Sequence, residues 1–255
     1  MIVACYRGLR VLVHLCVGLV LALALALDWR GRLKPEKFAH WWSSVLLDIF
    51  NIRLVVHGAP AAGARMTVAN HVSWLDIPLI AACEPTRFVA KSEVQRWPIA
   101  GWLADAGGTF YIRRGKGGSK PLLHKLTPHL ARGGNVTVFP EGTTTDGREV
   151  LEFHPRLFAA AIDAACAVQP VAIRYGLGAR GANVAPFIGD DDLVSHILRL
   201  LREPELTAEV RYCAPLQAID LQRDELADAA RTAVCAALAQ PAAVPLEEVS
   251  DLLAA

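Results

Sequence analysis

His71 and Asp76 are the residues of this chain best suited to chemistry, an imidazole and a carboxylate five positions apart in Asn70-His71-Val-Ser-Trp-Leu-Asp76. On one continuous helix, side chains so spaced point about 140° apart and cannot meet. The apolar run before His71 and Pro78 after Asp76 suggest another geometry. His71 lies on a strand-exit turn, and Asp76 N-caps a helix beginning at Ile77, with Pro78 in its first turn. The turn folds the carboxylate back onto the imidazole, fixing its tautomer and stabilising the imidazolium. The other ring nitrogen can then take a proton from an attacking hydroxyl. Taken alone, the pair reads first as an ordinary capping Asp beside a surface His, so the rest of the chain must decide.

Two further segments could serve the same site. Residues 108–115 (GTFYIRRG) read as a strand ending in paired arginines. Arg113 leaves that strand where a phosphate or carboxylate could be gripped in fork geometry. Lys116 and Lys120 follow in a glycine-rich loop. Residues 139–147 (FPEGTTTDG) follow a short apolar strand. Gly142 there permits close backbone approach, and backbone N–H groups with hydroxyls such as that of Thr143 can hold an oxyanion or a headgroup. Glu141 has three readings: it orients Arg113, accepts from a substrate hydroxyl, or caps local backbone.

The elements that must position these groups are legible from residue 52 onward. β-branched runs at 52–57, 65–69, 87–90, 109–112, 135–139, 168–175 and 208–213 read as strands. Helical stretches lie near 76–83, 97–105, 119–131, 155–165, 193–202 and 222–239. This alternation predicts an α/β fold: a single domain with a mostly parallel, mixed sheet flanked by helices. His71 and Glu141 both fall just after strand ends, where ligands bind in open α/β sheets. The organisation expected is an N-terminal membrane anchor and amphipathic helix over 1–50, a catalytic domain over 51–215, and a C-terminal surface helix and tail over 216–255.

Apolar residues make up 53% of the 255 and mean hydropathy is +0.32, high for a soluble globule. Residues 11–27 carry no formal charge. As a helix they would be about 26 Å long, short for a hydrocarbon core of about 30 Å, so a spanning helix and an interfacial one both stand. Arg7 and Arg10 precede the run, while Arg30, Arg32, Lys34 and Lys37 follow it. The downstream excess puts the body on the cytoplasmic side of the membrane and argues against a cleaved signal peptide. Residues 38–50 repeat apolar side chains at helical spacing, with Trp41 and Trp42 near one end. That face suits a headgroup interface or the domain core. A net charge of +1 selects no nucleic acid. The six cysteines are scattered without a C-x-x-C pair, as for reduced, buried thiols.

Taken together and in order, the segments at 70–76, 108–113, 139–143 and 168–171 resemble the glycerolipid (lysophospholipid) acyltransferase family, which includes 1-acylglycerol-3-phosphate acyltransferases. Ala90-Lys91-Ser-Glu93 between the first two adds to the likeness, which covers about residues 50–215. The resemblance implies transfer of an acyl chain from acyl-CoA or acyl-carrier protein to a lipid hydroxyl at the bacterial inner membrane. It implies no metal, no cofactor and no covalent acyl-enzyme. It makes His71 the base and Asp76 its orienter, with Arg113, Glu141, Gly142, Thr143 and Lys91 on the acceptor. The expected acceptor is 1-acyl-sn-glycerol-3-phosphate, giving phosphatidic acid. One departure bears on this: glycerol-phosphate members usually carry Arg directly after Glu-Gly-Thr, and here that residue is Thr144. Lyso-ornithine lipid is therefore the alternative acceptor.

Other signals mislead. Residues 176–181 match G-x-G-x-x-G, yet no helix opens after them. Neither a G-x-S-x-G elbow nor an H-E-x-x-H pair occurs. A non-catalytic lipid-binding protein would be expected to lose His71 or Asp76, and both are present. A hydrolase using water at the same His is favoured by nothing. Trp74, Trp97 and Trp102 read either as an acyl groove or as core packing.

Overall fold

The computed structural model describes residues 2–113, 119–219 and 221–242. Seven strands form one sheet: β1 (Ile52–His57), β2 (Arg65–Ala69), β3 (Arg87–Lys91), β4 (Phe110–Ile112), β5 (Asn135–Val138), β6 (Ala167–Tyr175) and β7 (Leu206–Tyr212). Their order across the sheet is β1-β7-β6-β2-β5-β3-β4. Every neighbouring pair is parallel except β6 and β7. The mixed, mostly parallel sheet expected from the alternation is therefore present. β2 lies at its centre and all five of its residues are buried, as a strand covered on both faces must be.

Helices cover both faces. On one, Leu46, Leu47, Ile49 and Phe50 of α2 (Pro35–Phe50) share a core with Leu79 and Ile80 of α3 (Asp76–Cys83) and Leu200 and Leu201 of α7 (Leu193–Leu201). On the other, Leu122, Leu126 and Leu130 of α5 (Lys120–Ala131) pack with Phe158 and with Leu226 and Val234 of α8 (Arg223–Ala239). α8 is thus an integral layer of the fold and not an appended surface helix. The helices expected near 97–105 and 155–165 both begin later than expected. Trp97, held extended before Pro98, separates a 3-10 turn from α4 (Ala100–Ala106). A 3-10 turn also precedes α6 (Ala159–Asp163).

The N-terminal helix α1 runs from Ile2 to Leu27, longer than its uncharged stretch. Its 26 residues span about 39 Å. Charge does not stop it, because the two arginines reach sideways to the body. Arg7 donates to the carbonyls of Glu203 (2.6 Å) and Pro204 (2.9 Å), and Arg10 pairs with Asp48 at 2.7 Å. The buried His14 stacks on Trp42 of α2 at 4.5 Å and bonds its carbonyl at 2.9 Å. Gly18 is required there, since a Cβ would lie 2.7 Å from Trp42 Nε1. α1 is long and apolar enough to cross a membrane. Leu12, Val13, Val20, Leu23 and Leu27 on it are exposed. In α2 the apolar face packs on the core and on α1, while Trp41 stays 48% exposed.

Candidate active site

β2 delivers the chain to the carboxyl edge of the sheet at Ala69. Asn70 then extends the pairing with its side chain: Oδ1 accepts from the Ile173 amide (2.8 Å) and Nδ2 donates to its carbonyl (2.9 Å). That anchor to β6 fixes the turn carrying His71. Asp76 does meet the imidazole, with Oδ2 2.7 Å from Nδ1. The expected N-cap role is corrected: Leu75 holds the cap position and Asp76 is the first residue of α3. Its carboxylate points back into the preceding turn, where Oδ2 also accepts from the amides of Val72 (2.7 Å) and Ser73 (3.0 Å). Oδ1 accepts from the Tyr175 hydroxyl at 2.6 Å. Asp76 is fully buried, and four donors offset the cost of placing a charge there. Burial, reinforced by the adjacent carboxylate, pushes the Tyr175 phenol well above its usual range, so it remains a donor.

The backbone of His71 is clamped on both sides. Its amide donates to Glu141 Oε1 (2.7 Å), and its carbonyl accepts from the Thr145 amide (2.8 Å). The ring of Phe139 stacks on the imidazole, centroids 4.0 Å apart and planes 14° from parallel. The side chain is 19% exposed, and no partner for Nε2 occurs among the described residues. With Nδ1–H given to Asp76, Nε2 bears the lone pair and faces outward.

Of the three readings of Glu141, the structure selects the backbone cap. Oε1 holds the His71 amide and Oε2 the Leu151 amide (2.8 Å), so the carboxylate does not orient Arg113. Burial raises its pKa, and the two amide bonds pull the other way. Gly142 turns the chain at φ +69, and a Cβ there would meet the His154 ring at 3.4 Å. Thr143 is exposed on this turn. Thr144 is not: its hydroxyl donates to the Phe187 carbonyl at 2.5 Å.

Lys91 ends β3, and Arg113 is exposed one residue beyond β4. All these strands run parallel to β2, so both residues share its carboxyl edge. They stand two and three strands from β2, about 10 and 14 Å away at the usual strand spacing. They flank the His71 centre along the sheet. Arg114 and Lys116 lie outside the described residues.

Several groups escaped sequence reasoning. Tyr175 is 99 positions from Asp76, and only the extension of β6 beyond β2 brings it there. Trp74 belongs to packing: it joins the core and its indole N–H donates to His196 Nδ1 at 2.9 Å. Trp97 and Trp102 remain 43% and 68% exposed. His196, fully buried on α7, bonds the Pro186 carbonyl through Nε2 at 3.2 Å. Burial lowers its pKa and keeps it neutral in this role. Next to it the Phe187 amide donates to the Val72 carbonyl (3.0 Å), so α7 braces the His71 turn from behind. A histidine amid apolar residues, as His196 is in α7, was the one available signal. Among the described residues no group of three or more His, Cys, Asp and Glu could hold a metal ion.

Residues 53–174 match the family model described as Acyltransferase, a span that runs from β1 to β6 and stops one residue short of Tyr175. The chain is 43% identical over 237 residues to the lyso-ornithine lipid O-acyltransferase of Pseudomonas aeruginosa, covering 91% of this chain and 92% of that one. It is 33% identical over 175 residues to the 1-acyl-sn-glycerol-3-phosphate acyltransferase of Neisseria gonorrhoeae, covering 66% and 69%. Its fold matches the crystal structure of the 1-acyl-sn-glycerophosphate acyltransferase PlsC from Thermotoga maritima with a TM-score of 0.71 at 20% identity, over 95% and 97% of the two chains. A histidine–aspartate centre at the carboxyl edge of the sheet, in a chain this similar end to end to a known acyltransferase, leads to one conclusion: this protein belongs to the acyltransferase family.

Proposed function

We propose that the protein moves an acyl chain from an acyl thioester to the free hydroxyl of a lysolipid, with His71 as general base. The observation that carries this reading is an imidazole whose Nδ1 lies 2.7 Å from a buried, fully hydrogen-bonded carboxylate while its Nε2 has no partner among the described residues. The acceptor hydroxyl gives its proton to Nε2 while its oxygen attacks the thioester carbonyl. The tetrahedral intermediate collapses, the ester forms, and the carbon–sulfur bond breaks. The imidazolium returns the proton to the departing thiolate. Asp76 stays ionised throughout and stabilises the imidazolium. Gly142 and Thr143 on the adjacent turn meet the acceptor near its hydroxyl. Lys91 and Arg113 reach its headgroup from the neighbouring strand ends. Glu141 acts through the backbone of His71 and not on substrate.

The acceptor we favour is lyso-ornithine lipid. Relatives with that name reach 43%, 34% and 35% identity. The headgroup of such a lipid carries a carboxylate and an ammonium, and so calls for less positive charge than a phosphomonoester. Thr144 stands where glycerol-phosphate enzymes usually carry Arg, and its hydroxyl is already taken by Phe187. The reading with 1-acyl-sn-glycerol-3-phosphate rests on Arg113 and Lys91 and on relatives at 33% identity. On either reading, residues 1–50 hold the catalytic unit of 51–215 at the cytoplasmic face of the membrane. Initial rates on the two acceptors, with His71→Ala as the blank, test the choice. Preference for lyso-ornithine lipid, reduced in Thr144→Arg, is expected. Preference for the phosphate acceptor would reverse the assignment.

A further inference from the structure

Residues 106–140 hold six of the chain's 26 Lys and Arg and none of its 25 Asp and Glu. In a chain of net charge +1 this is a strong local asymmetry. The segment builds β4, α5 and β5. Lys120, His124, Lys125 and Arg132 are all exposed on α5 or at its end. At 100° per residue they fall within one arc of about 140°, shared only with Pro121, Pro128 and Ala131. The opposite side carries Leu122, Leu126 and Leu130 into the core. The outer face of α5 is thus a cationic strip about 18 Å long, opposed by no carboxylate on its own helix.

Its placement restricts the partner. Phe110 at the start of β4 meets His129 near the end of α5, ring centroids 5.3 Å apart. α5 therefore runs back along β4, and its first turn lies toward the carboxyl edge where His71 stands. α5 packs on the sheet face opposite α2. The exposed apolar side chains of α1 belong with α2, so the strip points away from the surface they would enter. Anionic lipid is the poorer match for that reason. The phosphates of a CoA form one compact cluster, whereas cations spaced along three helical turns match an extended anionic surface.

We propose that the outer face of α5 docks the acyl donor in its protein-borne form, a small acidic acyl-carrier protein whose thioester arm reaches over the carboxyl edge of the sheet to His71. This rests on the acyl-transfer reading above. The full chain in detergent and its Lys125→Glu/Arg132→Glu variant are titrated against fluorescently labelled bacterial acyl-carrier protein. Their rates are then compared with acyl-carrier protein and acyl-CoA donors of equal chain length. Reversing two exposed charges should weaken carrier binding and raise its KM about tenfold at low ionic strength, with acyl-CoA kinetics within about twofold. Lys125→Gln/Arg132→Gln should give a smaller change in the same direction. An unchanged carrier affinity, or an equal rise in KM for both donors, overturns the proposal. So does lost binding to anionic vesicles with carrier affinity intact, which would make the strip a membrane contact. Absence of transfer from either donor would count against the acyl-transfer reading, while the binding titration would still decide the docking surface.

Discussion

α3 has a buried carboxylate at each end, and the two do opposite work. Asp76 opens the helix and Glu84 caps its far end, both at or below 2% exposure. Glu84 sits in a closed network: Arg65 pairs with it, Thr67 donates at 3.1 Å and Tyr212 at 3.4 Å. Arg65 in turn donates to the carbonyls of Ala61 (2.7 Å) and Gly63 (3.1 Å). Asp76 has four anchors to the three of Glu84, yet one of them is an imidazole whose second nitrogen has no partner among the described residues. Burial and hydrogen bonding alone therefore do not mark a functional carboxylate. What separates Asp76 from Glu84 is a titratable partner with one side left open. The fold places the open network at the carboxyl edge of the parallel strands and the closed one toward the other edge, where Arg65 begins β2.

That contrast can be broken in three ways. The largest effect is expected from His71→Ala, which should lower turnover by ~10²–10⁴ while the chain stays folded. Initial rates beside thermal melts check it, and wild-type turnover in a folded variant would remove His71 from catalysis. Glu84→Gln should do the reverse. It leaves Arg65 buried without its counter-charge and should cost about 3–5 kcal/mol of stability in denaturant titrations. Turnover per folded molecule should barely change, and a kinetic collapse with intact stability would erase the distinction between the two ends. Smallest is Tyr175→Phe, which deletes one of four donors to Asp76 at about 1–3 kcal/mol. It should lower kcat about tenfold with the acceptor KM unchanged, as loss of orientation and not of binding. A pure stability loss would reclassify Tyr175 with the Glu84 network.

Much of this was legible in the sequence because it is local. The apolar runs matched all seven strands to within about two residues, since β-branched runs bounded by turn residues have few alternatives. His71 and Asp76 were legible as a pair because a five-residue turn decides whether they meet. The N-cap assignment to Asp76 failed by one residue, because the carboxylate serves the turn before the helix and not the helix itself. Glu141 was legible as a candidate but its hydrogen bonds were not, since the His71 and Leu151 amides reach its two oxygens only in the folded chain.

By itself the sequence determined the alternation of strands and helices, the pairing across the His–Asp turn and the apolar character of the first helix. These follow from periodicity and from spacing over a few residues. Only the tertiary structure decided which distant groups complete the site. Tyr175 reaches Asp76 because β6 runs past the end of β2, and the Thr144 hydroxyl is taken by the Phe187 carbonyl. His196 supports Trp74 from a helix 122 positions away. The partners of a buried polar group are set by strand register and helix packing, and those are properties of the whole core.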